Sequence, residues 1–259
     1  MRRERIFDML LYSIALLSYP YASRAVGSMP SRYTFLLLAA LAVMVLGMLA
    51  QVGVQNTFSK YSQMRAMSGL TASEVAMELL RNNGSSVQVR PTGGALTDNY
   101  NPKAGCVSLS QSVYSSTSVA AIAVAAHECG HVMQYQNGYA AIKLRNALLP
   151  AANIGSRFSY LLVILGIFMG SFGYTVSMIG VVLFGAVLLF QLLTLPIELD
   201  ASRRALDMLN AGGYIAIGEE ESAAKKVLRA AAFTYVVAVL SAAISFLRLL
   251  AIAQSNRRR

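Results

Sequence analysis

Forty consecutive residues, from Phe158 to Ile197, carry no formal charge. A transmembrane helix needs about 20 mainly apolar residues, so this stretch is long enough to cross a bilayer twice. Two further uncharged stretches, of 27 and 18 residues, run from Tyr33 to Ser59 and from Ala230 to Leu247. A buried helix pair of a soluble protein is the alternative, but soluble chains of this size rarely contain such a run. The sequence therefore predicts a multi-pass membrane protein with about four transmembrane helices.

The basic residues of the chain are concentrated beside these apolar stretches. The formal net charge is +10, and the flanking residues include Lys60, Arg157, Lys226 and Arg229. This distribution is typical of anchors that face anionic lipid. No basic segment is interleaved with aromatic residues in the manner of a nucleic-acid groove. We therefore expect membrane lipid as a partner and no nucleic acid.

Both histidines of the chain, His127 and His131, lie in one short motif, His-Glu-Cys-Gly-His, at the end of an Ala-rich run. Residues four apart on a helix share a face, so both imidazoles can meet one ion. Zinc accepts imidazole nitrogens, and Glu128 lies where a general base that takes a proton from water belongs. A chance pattern on a buried helix is the alternative. An unpaired buried carboxylate costs several kcal/mol, which favours the metal site.

A third ligand is expected from the segment after the long apolar stretch. A hairpin that crosses the membrane twice returns the chain to the side it left, so Glu198 should lie on the same face as the two histidines. Pro196 is predicted to start a new helix with Glu198 in its first turn. Asp200, two residues further on, is the alternative third ligand.

Local signals divide the polar region that contains the motif. Thr71 and Glu74 have the spacing of a capping box that starts a helix, and Ser115 to Ser118 supply an N-cap for the motif helix. Strands are predicted at 87–90 and 106–110, and turns at 91–94 and 98–102. The second strand is interpreted either as an edge that pairs with a substrate backbone or as part of a structural hairpin. Cys106 and Cys129 are interpreted as packing residues, since two cysteines make no disulfide framework.

Around the motif and around Glu198 to Arg204, the chain resembles the YugP-type membrane zinc metallopeptidases (zinc-dependent neutral metallopeptidase type 2 family). The resemblance covers roughly residues 33 to 257 and includes the segments 60–62, 93–98, 144–148 and 152–157. It implies a mainly α fold: a polytopic membrane protein with about four transmembrane helices and a small α+β gluzincin-like zinc peptidase region. It also implies one Zn²⁺ per chain, held by His127, His131 and Glu198, with Glu128 as the base.

More distantly, the chain is similar to the membrane gluzincins that include the prenyl-protein and heat-shock membrane proteases. In those proteins the ligand Glu is followed three residues later by Ala and four residues later by Asp. Here Ala201 matches that pattern, but Ser202 occupies the position of the Asp. The supporting role that the Asp has next to the metal ligands is therefore taken by Ser202, by Asp200 or by no residue. Candidates for steadying an oxyanion, or alternatively for anchoring and packing, are Arg203, Arg204 and Asn153.

The predicted organisation has seven segments. They are an N-terminal extension that is interfacial or a short extra span (1–32), a transmembrane helix (33–54), the peptidase region with the motif helix (55–157), a transmembrane hairpin (158–197), the third-ligand helix and connector (198–228), a transmembrane helix (229–253) and a basic tail (254–259). The hairpin turn near Gly173 is uncharged, whereas the other hairpin ends carry Arg157, Arg203 and Arg204. The positive-inside rule then places the catalytic side in the cytoplasm.

Together these features predict a membrane-embedded zinc endopeptidase in the plasma membrane of a prokaryote. Its substrate is expected to be a protein or peptide at or near the membrane, membrane proteins included. The alternative is a non-catalytic, zinc-stabilised membrane scaffold that binds a partner protein. Glu128 favours the enzyme, because a structural zinc site needs no base.

Overall fold

The computed structural model describes residues 31–257, and this part of the chain is mainly helical. Residues 1–30 of the predicted N-terminal extension lie outside the described residues. In chain order the elements are α1 (Ser31–Tyr61), α2 (Ala72–Asn82), β1 (Gln88–Thr92), β2 (Asn99–Asn101), β3 (Cys106–Ser110), α3 (Gln111–Tyr114), α4 (Val119–Gln136), α5 (Ala140–Phe168), α6 (Gly173–Ala211) and α7 (Glu219–Asn256). A single 3₁₀ turn, Gly170–Phe172, joins α5 to α6 at the predicted hairpin turn.

Four of the described helices are long and apolar enough to cross a membrane, as predicted. These segments are Thr34–Tyr61, Ala140–Phe168, Gly170–Ala211 and Glu219–Asn256. Helix α6 alone has 39 residues. At 1.5 Å per residue it is about 58 Å long, nearly twice the thickness of the hydrocarbon core of a bilayer. Its polar C-terminal part therefore belongs to the region outside the lipid.

The chain forms two compact units. The first contains the described residues up to Leu49, together with Leu144–Thr194 and the chain from Tyr235 onward, and these are the apolar parts of the long helices. The second contains Ala50–Lys143 and Leu195–Thr234. It includes the three strands, α2, α3 and α4, and with them every residue predicted to bind the metal.

Glycines allow α5 and α6 to pack closely within the first unit. A Cβ atom at Gly180 would lie 2.6 Å from the backbone oxygen of Ser159, and one at Gly155 would overlap the backbone oxygen of Leu183. Small residues let helix backbones approach in this way inside membranes, where water does not drive association. Val163 and Phe184 are buried in the cluster that forms at this contact.

The capping box predicted at Thr71 is confirmed. The Glu74 backbone N–H donates to the Thr71 hydroxyl at 3.3 Å, and the Thr71 backbone N–H donates to the Glu74 carboxylate at 2.8 Å. These bonds satisfy two amide groups that the first turn of α2 leaves without a helical partner. Helix α2 then packs its buried residues against α4 in the core of the second unit.

The three strands form one sheet in the order β1-β3-β2. Strand β3 is where it was predicted, but it pairs in parallel with β1 and antiparallel with β2. The interpretation of β3 as a free edge for a substrate backbone is therefore wrong, because both of its sides are already paired. The turn predicted at 98–102 is also wrong, since Asn99–Asn101 pairs with β3 despite its polar, turn-favouring composition. The turn predicted at 91–94 instead begins at residue 93, because β1 continues through Thr92. Pro91 is tolerated within β1 because β1 is an edge strand.

Helix α6 continues through Pro196 without a break. The prediction that Pro196 starts a new helix, with Glu198 in its first turn, is therefore wrong. A proline inside a helix removes one backbone hydrogen bond and costs about 3 kcal/mol. Burial of apolar side chains next to the proline offsets this cost, since Ile197 and Ala201 are fully buried. Glu198 thus projects from the interior of a continuous helix, which fixes its direction more firmly than a helix end would.

Candidate metal centre

Helix α4 holds the two histidines in fixed positions. The Ser118 hydroxyl accepts a hydrogen bond from the Ala121 backbone N–H at 3.2 Å, so the N-cap predicted from the serine-rich segment is confirmed. The helix is rich in Ala, and most of its residues are buried. One turn apart, His127 and His131 place their ring centroids 4.8 Å from each other. The predicted spacing therefore brings both imidazoles to one side of α4.

Helix α6 brings a carboxylate to this pair. The Oε2 atom of Glu198 lies 3.3 Å from Nε2 of His127 and 3.6 Å from Nε2 of His131. Among the described residues, these three side chains form a group whose donor atoms all lie within 4.8 Å of one another. Tetrahedral zinc with bonds of about 2.0–2.1 Å separates its ligand atoms by about 3.4 Å. The observed spacings therefore fit a zinc ion.

A hydrogen-bond partner on each histidine orients the nitrogen that faces Glu198. The Nδ1 atom of His131 lies 3.0 Å from Oε1 of Gln134, and Nδ1 of His127 lies 3.2 Å from the Ser202 hydroxyl. An amide oxygen only accepts, so Nδ1 of His131 carries the proton and the lone pair lies on Nε2. The Ser202 hydroxyl can accept from His127 in the same way. Such partners fix the tautomer and ring orientation of metal-binding histidines.

The orientation of the Gln134 amide follows from its other contacts. Its Nε2 atom donates to the Ile197 backbone oxygen at 2.8 Å and to Oδ2 of Asp200 at 2.9 Å. Both of these atoms are acceptors, so the amide nitrogen must face them and the amide oxygen must face His131. Gln134 is fully buried. It thus joins the histidine helix to the carboxylate helix next to the candidate metal ligands.

Asp200 is not in the three-residue group; it holds the residues around that group instead. Its two carboxylate oxygens accept hydrogen bonds from Arg203 and Arg204, each at 2.6 Å, in addition to the bond from Gln134. The sequence left the support of the histidines open between Ser202 and Asp200. In the structure Ser202 contacts His127, whereas Asp200 reaches His131 only through Gln134. Gln134 was missed: its place three residues after His131 puts the two on one helix face, but its role depends on the contacts with α6.

A glycine inside the motif lets α4 and α6 approach each other. A Cβ atom at Gly130 would lie 2.5 Å from the backbone oxygen of Ala201 and 3.2 Å from its carbonyl carbon. Neither backbone atom can move aside without shifting its helix. Ala201 is fully buried, and Glu198 lies one turn before it on the same helix. The position of the carboxylate relative to the histidines therefore depends on the absence of a side chain at Gly130.

Replacing Gly130 with Ala is expected to weaken zinc binding about tenfold, because the added methyl group shifts Glu198, while all three candidate ligand residues are still present in the chain. Competition with a fluorescent chelator on the purified protein measures this affinity. Gly53→Ala is the matched control, since Gly53 is also helical and a Cβ atom there meets nothing within 4 Å. Equal zinc affinity of Gly130→Ala and wild type would contradict this role of the glycine.

Glu128 is buried beside the histidines, with 4% of its surface exposed. One of its carboxylate oxygens, Oε2, has no hydrogen-bond partner among the described residues. A buried acceptor without a partner costs about 1–3 kcal/mol, more when it is charged. Proteins retain such a group where a ligand or a reacting molecule supplies the missing partner.

Asp98 is a partly buried acid to which the sequence assigned no role. Its carboxylate accepts hydrogen bonds from the backbone N–H of Ser110 at 2.7 Å and from the Ser110 hydroxyl at 3.1 Å. Burial raises the pKa of Asp98, the Ser110 hydrogen bonds oppose that rise, and the negative charge of Glu128 adds to it. Asp98 therefore lies within the electrostatic field of Glu128. Because the sequence predicted Asp98 to lie in a turn, its interaction with Glu128 was not expected.

The other sequence candidates have different surroundings. The hydrogen bonds of the Arg203 and Arg204 guanidinium groups both end on Asp200, and Arg204 also stacks over the Tyr139 ring at 5.9 Å. Asn153 lies exposed on α5, in the first unit. The Cys129 thiol is buried 3.7 Å from the Ala76 backbone oxygen, and burial raises its pKa. A neutral thiol in that position packs the core, as predicted.

Comparison with known proteins agrees with the composition of this centre. A family model described as "Putative neutral zinc metallopeptidase" matches residues 35–254. The chain is also 41% identical over 226 residues to "Putative membrane protease YugP" of Bacillus subtilis (strain 168), which covers 87% of this chain and 98% of that protein. No solved structure matches the chain. Since the family model spans most of the sequence, the chain belongs to the neutral zinc metallopeptidase family.

Proposed function

We propose that the protein is a membrane-embedded, zinc-dependent endopeptidase. The observation that carries the proposal is the convergence of His127, His131 and Glu198 on one point, with the buried Glu128 adjacent in sequence. Two neutral imidazoles and one carboxylate are the donor set of many catalytic zinc sites, which keep a fourth position open for water or substrate. The name of the Bacillus subtilis relative, a membrane protease, supports the same activity.

In this proposal one zinc ion per chain binds His127, His131 and Glu198. When bound, zinc supplies Lewis acidity, which polarises a carbonyl group and makes water more acidic. Ser202 and Gln134 hold the histidine protons on the Nδ1 atoms, so that both Nε2 lone pairs face the ion. Asp200 keeps the Gln134 amide in the required orientation.

Glu128 has the role of the proton carrier. Its carboxylate accepts a proton as water attacks the scissile carbonyl carbon, and it donates this proton to the amine as the carbon–nitrogen bond breaks. The partnerless Oε2 atom is suited to this, because no hydrogen bond within the protein has to be broken first. Candidates for steadying the oxyanion remain Arg203, Arg204 and Asn153. For the first two, release from Asp200 would be required.

The alternative function is a zinc-stabilised scaffold that binds a partner protein. Structural zinc sites are usually closed by four protein ligands. Within the described residues the group contains three, and the nearest thiol, that of Cys129, contacts the Ala76 backbone oxygen instead. An open coordination position and a buried carboxylate beside it favour the enzyme.

The substrate and location proposed are those expected from the sequence. The described part of the chain contains four helices that are long and apolar enough to cross a membrane. We place it in the plasma membrane of a prokaryote with the catalytic side in the cytoplasm, acting on a protein or peptide at or near the membrane, membrane proteins included.

Removal of the metal tests the proposal. Treatment of the detergent-purified full-length chain with 1,10-phenanthroline should lower cleavage of an unfolded test protein at least about 100-fold, and added zinc should restore it, because the ion supplies most of the activation of water. The isomer 1,7-phenanthroline, which does not chelate, is the control. Cleavage that survives chelation would contradict a zinc peptidase. Bound zinc with no cleavage of unfolded or membrane proteins would favour the scaffold.

A further inference from the structure

The second compact unit contains a pocket that is separate from the metal centre and shares no residue with it. It has a volume of about 420 Å³ and lies between the C-terminal end of α1 and the first turns of α7. Its lining residues are Asn56, Thr57, Lys60, Tyr61, Lys226 and Arg229. All six belong to the second unit, so the pocket is formed within one compact part of the chain.

The pocket is strongly basic. Three of its six lining residues, Lys60, Lys226 and Arg229, are cationic, and none is acidic. In the described part of the chain, the ion pairs of arginine and lysine side chains are those of Arg203 and Arg204 with Asp200. The three cations therefore line one pocket, and no carboxylate of the described residues forms an ion pair with them. Bringing like charges together is unfavourable unless an anion joins them.

Two of the cations lie close to one aromatic ring of the pocket. The Lys60 ammonium lies 5.5 Å from the centre of the Tyr61 ring, and the Lys226 ammonium lies 5.9 Å from the same centre. Cation–π attraction of this kind is worth about 0.5–1 kcal/mol at an exposed site. It offsets part of the repulsion and holds both ammonium groups at the pocket. The site is thus arranged before any ligand binds.

The sequence places this pocket where the chain leaves the membrane. The apolar part of α1 ends at Val54, just before Asn56, and the apolar part of α7 begins at Ala230, just after Arg229. Basic residues at such junctions lie at the level of lipid headgroups. Asn56 and Thr57 add an amide and a hydroxyl group that can donate hydrogen bonds. Guanidinium and ammonium groups with neutral donors are the groups that bind phosphate.

We propose that this pocket binds a phosphate group, and that its source is the headgroup of an anionic phospholipid. The binding neutralises three cations that have no ion-pair partner among the described residues, and it ties the ends of α1 and α7 to the surface of the membrane. The proposal does not depend on the peptidase activity, because no residue of the pocket contacts the metal centre.

The test is lipid titration of the delipidated full-length protein in detergent. Phosphatidylglycerol is compared with zwitterionic phosphatidylcholine and with inorganic phosphate, and bound lipid is counted by native mass spectrometry. The variant Lys60→Gln/Lys226→Gln/Arg229→Gln should bind phosphatidylglycerol at least about tenfold more weakly, since it loses three charge-assisted contacts. The control Arg65→Gln/Lys103→Gln/Lys225→Gln removes the same charge from exposed residues outside the pocket and should bind like wild type.

Each outcome has a defined meaning. Selective loss of phosphatidylglycerol binding in the pocket variant supports the proposal, and inorganic phosphate that competes at millimolar concentration would assign the site to soluble phosphate rather than lipid. Equal losses in the two triple variants would overturn it, because the effect would then be one of net charge. Thermal unfolding without lipid verifies folding, and the single variant Lys226→Gln provides a milder test if the triple variant is unstable.

Discussion

Replacing Glu128 with Gln should abolish peptide hydrolysis while leaving the zinc content of the protein unchanged. Gln has nearly the same size as Glu, so it fits the buried position at which only 4% of Glu128 is exposed. It cannot accept a proton from water, however. General acid–base catalysis contributes about 10²–10⁴-fold to rates, so activity should fall by about 10³-fold or more. The metal should remain because Glu128 is not among the three converging residues.

The comparison needs wild type, Glu128→Gln and a matched control purified in the same detergent. Glu219→Gln makes the same chemical change at an exposed residue in the first turn of α7. Cleavage of an unfolded test protein and zinc per chain are measured for all three. Activity in wild type and Glu219→Gln alone, with equal zinc throughout, supports the role of Glu128. Activity that persists in Glu128→Gln would exclude it as the proton carrier.

The metal centre could be predicted from the sequence because each of its constraints is local or topological. The four-residue spacing of His127 and His131 determines their relative direction on any helix. Glu198 is 67 residues beyond His131, yet the one apolar stretch between them is long enough to cross the membrane twice, which returns the chain to the same side. Neither step requires knowledge of how individual side chains pack.

Gln134 and Gly130 were not predicted because their roles exist only at the contact of α4 with α6. Glutamine and glycine occur in many helices without function. Their roles here depend on the point at which α6 crosses α4. At that point Gln134 contacts the Ile197 backbone oxygen and Gly130 lies against the Ala201 backbone oxygen. No spacing along the sequence indicates where the two helices cross.

The errors in the predicted elements arise where tertiary packing overrides local preference. Pro196 has the preference of a helix start, but the buried residues after it keep α6 continuous. Asn99 to Asn101 have the composition of a turn, but pairing with β3 satisfies their backbone groups. In both places the local conformational preference contributes about 1–3 kcal/mol to the free energy. Burial of a few apolar side chains contributes more than this.

Replacing Glu198 with Ala should remove zinc from the protein, whereas replacing Asp200 with Ala should not. The Glu198 carboxylate lies 3.3 and 3.6 Å from the two imidazole nitrogens, so its loss leaves two ligands for an ion that binds at least three protein groups in catalytic sites. Asp200 contacts Gln134 and the two arginines instead. Its loss removes one of the two acceptors that orient the Gln134 amide and should weaken zinc affinity about tenfold, the effect typical of groups that orient a ligand.

Zinc per chain after dialysis against a weak chelator, measured by elemental analysis, separates these two carboxylates. Thermal unfolding of both variants in detergent shows whether each remains folded, since Asp200→Ala also leaves Arg203 and Arg204 without their shared acceptor. Full zinc in Glu198→Ala together with none in Asp200→Ala would make Asp200 the third ligand. That result would require α6 to rotate by about 200° to exchange the two carboxylates, because residues two apart on a helix project in nearly opposite directions. Such a rotation would take the Ser202 hydroxyl away from His127 and the Ala201 backbone away from Gly130. Both contacts therefore require the same orientation of α6 that makes Glu198 the third ligand.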